Sequence, residues 1–177
     1  MCTAIESAPF QYSICNHSQE GLMGGMSKAI TGGCLCGEVC YRAVVGDSKT
    51  VAHCYCSMCR RLSGGTFVTY AEFPAKDFAY TKGQPQHFKS SDFAVRGFCG
   101  SCGCQFTFQY FGERKEITES IWITVGSMDR PDEIEPTDHI FTAEKLPWLY
   151  LDQQLAHWPG QLPWLRPGVD SPETNSK

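Results

Sequence analysis

The sequence predicts a mainly β, antiparallel domain built around clustered cysteines. Three observations predict it. From Gly32 onward, short runs rich in Val, Tyr, Phe and Thr alternate with clusters of Gly, Pro, Asp and Ser, the texture of short strands joined by turns. A chain of 177 residues is about one domain long and buries a sizeable core without cross-links, so its 11 cysteines are not needed merely to hold it together. Seven of those cysteines fall in three tight groups placed between the strand-like runs.

Taken in order, residues 1–29 are polar and irregular, end in GLMGGMSKA, and read as a flexible N-terminal extension in which Cys2 and Cys15 have no specific role. Residues 30–150 form the domain. Strands are expected at EVCYRAVV (38–45), TFVTYAEF (66–73), FAYTK (78–82), QHFKSS (86–91), FAVRGFC (93–99), CQFTFQY (104–110) and IWITVGSM (121–128). Only SMCRRLSG (57–64) reads as a helical turn, stopped by Gly64 and Gly65. DRPDEIEP after Met128 is too proline-rich and acidic for a regular element. Residues 151–177 are a Trp/Pro-rich tail. Trp158 and Trp164, with Trp148 just before it, are expected to pack against the main sheet, and the last ten or so residues to be disordered.

The N-terminus has no basic start followed by an apolar run of secretory length, and no stretch approaches the roughly 20 apolar residues of a membrane helix. A cytoplasmic protein is expected, in which clustered thiols serve as metal ligands or redox groups rather than bridges. With 15 basic and 19 acidic residues the net charge is −4, and no Lys/Arg block marks a nucleic-acid footprint. A nucleic-acid partner is therefore not expected.

The clustered cysteines are Cys34 and Cys36, Cys54, Cys56 and Cys59, and Cys99 and Cys102. The pairs 34/36 and 99/102 together complete a tetrahedral Cys₄ zinc site, which leaves CYCSMC with three ligands and one open position, the mark of a catalytic rather than a structural zinc. Spacing also permits Cys54, Cys56, Cys99 and Cys102 as the closed site, or His53 or Cys104 as a fourth ligand of the triplet. Cys40 and Cys104 lie in strand-like runs and read as small buried hydrophobes. Arg60 and Arg61 follow the triplet directly. They are either a solvated pair or the groups that offset the thiolate charge and hold a substrate carboxylate.

GGCLCGEVCY, HCYCSMCRRLSGGTF, RGFCGSCGCQF and DHIFTAEKLPW, in that order over roughly residues 30–150, resemble the successive motifs of the glutathione-dependent formaldehyde-activating enzyme family, which includes centromere protein V. The resemblance implies an Mss4-like β-tent of small antiparallel sheets around two Zn²⁺. It implies a structural zinc on Cys34, Cys36, Cys99 and Cys102 and a catalytic zinc on Cys54, Cys56 and Cys59. The implied activity is that of a carbon–sulfur lyase acting on S-(hydroxymethyl)glutathione, the adduct of glutathione and formaldehyde, with a small thiol and a small aldehyde as partners. The alternatives are a non-enzymatic zinc module for a protein or chromatin partner, and a thiol redox or metal-buffering protein.

Overall fold

The computed structural model describes residue 15 and residues 28–45, 50–112 and 118–165. Among them the strands are β1 (Ala29–Gly33), β2 (Cys40–Val44), β3 (Val51–Cys54), β4 (Val68–Pro74), β5 (Phe78–Lys82), β6 (Gln86–Ser91), β7 (Ala94–Phe98), β8 (Gln105–Tyr110), β9 (Ser120–Thr124), β10 (Asp138–Ile140) and β11 (Ala156–Trp158). An α-helix, α1 (Ser57–Ser63), follows β3. The protein is mainly β, and each expected strand is present. IWITVGSM ends its strand at Thr124 and continues as a 3₁₀ turn over Val125–Ser127.

Among the described residues two sheets form, a small one ordered β1-β2-β5 and a large one ordered β11-β10-β3-β4-β9-β8-β7-β6. Pairing is antiparallel except at β10, which runs parallel to both β3 and β11. β9 lies inside the large sheet with both faces covered, so its central residues Ile121, Trp122 and Ile123 are apolar without a break. Its side chains alternate between two cores. Ile121 and Ile123 join Tyr41 and Phe106 between the sheets, whereas Trp122 joins Tyr70, Ile140 and Leu162 on the opposite face.

The register of β8 against β7 shifts between Gln105 and Thr107, opposite Phe98 and Gly97. This extra residue lets Phe106 enter the first core while Phe108 packs against the second, which strict alternation would forbid. The small sheet approaches the large one closely at Gly32, where a Cβ would come within 2.4 Å of both Ser127 O and Tyr41 Oη. The carbonyl belongs to the backbone and has little room to yield. Gly32→Ala is expected to lower stability by about 1–3 kcal/mol, read as a fall in the urea midpoint.

Two expectations are revised, the unpaired place of Cys15 and Cys40 and the packing of Trp148. Cys15 and Cys40 are joined by a disulfide, whereas each was expected to stand unpaired. Gly33 makes room for it, since a Cβ there would sit 2.6 Å from Cys15 Sγ. The segment after residue 150 contains β11, and Leu162 within it is fully buried. Trp158 is half-buried and donates from Nε1 to Asp138 Oδ1 at 2.6 Å, but Trp148 is 62% exposed and does not pack as expected. Cys2 and the terminal residues 166–177 lie outside the described residues.

Candidate active site

Cys34 follows β1 and Cys36 lies in the next turn, where Gly37 takes φ 71° and the Val39 N–H donates to Cys34 Sγ at 3.3 Å. Cys99 follows β7 and Cys102 lies in a matching turn closed by Gly103, φ 74°, whose N–H donates to the Cys99 carbonyl. The folded turns bring four sulfurs together. Cys34 and Cys36 are 3.5 Å apart and Cys36 and Cys99 3.6 Å apart, and all four sulfurs lie within 4.8 Å of one another. Such a set can hold one metal ion as a closed tetrahedral site and is compatible with zinc. Without a cation the group cannot all ionise. The backbone N–H of Glu38 pulls the Cys36 thiol down, but burial and the neighbouring thiols outweigh it and push it up to about 12.

The other three sulfurs meet at the end of β3. Cys54 is its last residue, Cys56 caps α1, and Cys59 is in the first turn of that helix. Cys56 adopts an extended conformation, φ −60° and ψ 149°, and its Sγ accepts from the Cys59 N–H at 3.3 Å. Cys54 and Cys59 Sγ are 3.6 Å apart, all three thiols are buried, and all three sulfurs lie within 4.8 Å of one another. Hydrogen bonds from Cys54 and Cys56, with the Arg96 guanidinium adding, hold the Cys59 thiol down at about 3 against the opposing effect of burial. The same thiol contacts, with burial, push Cys54 well up.

Arg96, from β7, is 3% exposed and organises this region. It donates from Nη2 to Cys59 Sγ at 3.6 Å, from Nη1 to Tyr70 Oη at 2.9 Å and from Nε to Ser90 Oγ at 3.1 Å. Its guanidinium carbon lies 4.7 Å from the centre of the Phe108 ring. Tyr70 Oη also accepts from Gln105 Nε2 at 2.9 Å, which fixes the phenol beside Cys59. A cavity of about 510 Å³ opens above the triplet, and Cys54, Cys56, Cys59 and Arg96 line it together with Phe108, Tyr110, Phe141 and Leu165.

The seven expected cysteines thus come together as four and three, and the pairing of Cys54 and Cys56 with Cys99 and Cys102 does not form among the described residues. His53 is not drawn into the triplet. Its Nδ1 is 2.8 Å from Thr69 Oγ1 and its ring stacks 5.2 Å from that of His139. Cys104 packs beside the four-cysteine group instead. Arg60 donates to the carbonyls of Tyr55 and Glu144, while the Glu144 carboxylate accepts from the Ser57 N–H at 2.8 Å. Arg60 therefore latches α1 to the turn at Thr142–Glu144. Arg61 is exposed, and neither arginine lines the cavity.

Sequence reasoning passes over Arg96. A signal was present, because Arg96 sits two residues from Ala94 on a half-buried strand and so shares its buried face.

His139 pairs across β10 with His53 and is bonded from Nδ1 to Tyr55 Oη at 2.9 Å. Burial lowers its proton affinity and the adjacent His157 adds to this, against the Asp152 carbonyl. Burial also lowers His53, to about 4. Between the ordinary histidine value of about 6.5 and the folded values, the unfolded chain binds more protons than the folded one. Stability should be full above pH 6.5 or so and fall as pH drops below it. His139→Gln should flatten the slope of urea midpoint against pH in that window, and an unaltered slope would contradict this assignment.

The family model described as glutathione-dependent formaldehyde-activating enzyme matches residues 29–144. An uncharacterized lyase of Schizosaccharomyces pombe is 27% identical over 97 residues, covering 54% of this chain and 68% of the relative. A Rhodobacter sphaeroides protein of known crystal structure aligns with a TM-score of 0.46 and 20% identity, over 72% of this chain and 98% of its own. No helix among the described residues is long and apolar enough to cross a membrane. With the model matched across most of the strands and all seven clustered cysteines, the chain belongs to the glutathione-dependent formaldehyde-activating enzyme family.

Proposed function

We propose that the protein is a zinc-dependent carbon–sulfur lyase that cleaves and forms the bond between a thiol sulfur and an aldehyde carbon, with S-(hydroxymethyl)glutathione as the family's reference adduct. One observation carries this reading. The sulfurs of Cys54, Cys56 and Cys59 lie at the wall of a cavity and no fourth metal-ligating side chain joins them among the described residues. A module that used metal only to hold its fold would have both sites closed.

The reaction balances without an oxidant. The S–C bond of RS–CH(OH)R′ breaks with its electron pair going to sulfur, the hydroxyl O–H pair becomes the second C–O bond, and the proton passes to water at the cavity mouth. Zinc bound by the triplet would supply a coordination position that favours thiolate over thiol, or polarises the aldehyde oxygen. A free thiol with a pKa of about 8.5 is only a few per cent ionised at pH 7. The remaining work falls to the chain. Cys54, Cys56 and Cys59 fix where the reacting sulfur sits, and Arg96 offsets the thiolate charge through Cys59. The aromatic walls hold thiol and aldehyde together, which can save several kcal/mol of orientational entropy, on the order of 7 or more in favourable cases.

The test is release of formaldehyde from S-(hydroxymethyl)glutathione by protein carrying about two zinc per chain. Acceleration over the spontaneous rate is expected. Two bound zinc ions with no acceleration for any hydroxymethyl thioether would overturn the reading.

A further inference from the structure

We propose that the thiol accepted by this site has an apolar body of about the size of a benzyl group, in preference to the charged tripeptide glutathione. This rests on the lyase reading above and names its substrate class.

Glutathione brings two carboxylates and an ammonium. Burying such groups without partners is costly. Among the described lining residues Arg96 carries the one formal positive charge, and its three nitrogens are already committed to Cys59 Sγ, Tyr70 Oη and Ser90 Oγ. No described lining residue is an Asp or Glu that would receive the ammonium. Apart from the uncharged Ser90, Ser91 and Gln161, the rest of the wall is mostly apolar and largely aromatic. Phe108 and Tyr110 meet edge to face at 4.7 Å, and Phe93 stacks on Tyr110 at 6.2 Å. Phe141, Met58 and Leu165 complete the surround. A volume of about 510 Å³ is far larger than a one-carbon aldehyde requires and lies within the range of small-molecule sites.

Part of this wall belongs to the chain beyond the matched family region. Gln161 and Leu165 line the cavity, and fully buried Leu162 anchors them. The segment is seated by β11 on β10 and by the Phe141 N–H donating to the Gly160 carbonyl at 2.9 Å. The apolar selectivity is therefore built partly by residues that follow position 144.

The test compares the hydroxymethyl adducts of benzyl mercaptan and glutathione as substrates of the zinc-loaded full chain. The benzyl adduct is expected to have a kcat/KM about 10-fold or more higher. Phe93→Arg places a free cation at the rim, where Phe93 is 52% exposed and replaceable without disturbing the core, and should reduce that preference about 10-fold. Equal or better turnover of the glutathione adduct, or a preference unchanged by Phe93→Arg, would overturn the inference. If neither adduct is turned over, the lyase reading fails, and binding decides the substrate class separately. Trp122 lines the cavity, so its fluorescence should report tighter binding of benzyl mercaptan than of glutathione. Equal binding, tighter glutathione binding or no binding of either would overturn it.

Discussion

Replacing Cys56 by Ser is expected to lower adduct cleavage more than about 100-fold, since loss of even an outer partner of a metal ligand typically costs 10–100-fold. The fold should survive. Cys56 is the N-cap of α1, and its sulfur accepts the Cys59 N–H. A serine hydroxyl makes the same bond and is among the preferred caps, so the helix keeps its start while the triplet loses a sulfur. Arg60 also continues to hold α1 through the carbonyls of Tyr55 and Glu144. Metal content should fall from about two per chain toward one, with the four-cysteine site still filled. Full activity in Cys56→Ser would show that the triplet is not the reacting site.

Arg96→Met is expected to be the most damaging single change away from the cysteines. The guanidinium is buried and joins three groups from three different places, Cys59, Tyr70 and Ser90, while lying over Phe108. Removing one partner of a buried charge pair typically costs about 3–5 kcal/mol, because the other charge stays buried without compensation. Urea midpoints measure that loss, and metal analysis should show the triplet emptied before the four-cysteine site. Arg96→Lys separates charge from geometry. It restores a cation but loses the planar fork that reaches three acceptors, so its stability should fall between the two. A methionine variant of wild-type stability and metal content would contradict the role assigned to Arg96.

The cysteine groups were legible because their logic is local. Spacing of one or two residues beside glycines draws sulfurs together, and the seven strand-like runs around them stand out by their Val, Tyr, Phe and Thr content between turn-forming clusters. Arg96 is a different case, 37 residues from the sulfur it contacts, and nothing near RGFC names Cys59 as its partner. Arg60 and Arg61, directly after Cys59, were more conspicuous and turned out to bond backbone carbonyls or face solvent.

β1 was hidden by two glycines in AITGG, which strand propensity disfavours but which the contacts at Gly32 and Gly33 require. β10 and β11 are three residues each, and their parallel pairing depends on a distant β3 that sequence alone does not bring alongside. The Cys15–Cys40 bond was equally out of reach, since Cys15 lies in a stretch without periodicity.

The triplet is expected to hold zinc with one position left for substrate sulfur. X-ray absorption at the zinc edge of the two-zinc protein, before and after addition of saturating thiol, tests it directly. One closed Cys₄ site and one open three-sulfur site predict an average of about 3.5 sulfurs per zinc, rising to about 4 when the thiol binds. An average that stays fixed on addition of both benzyl mercaptan and glutathione would contradict it.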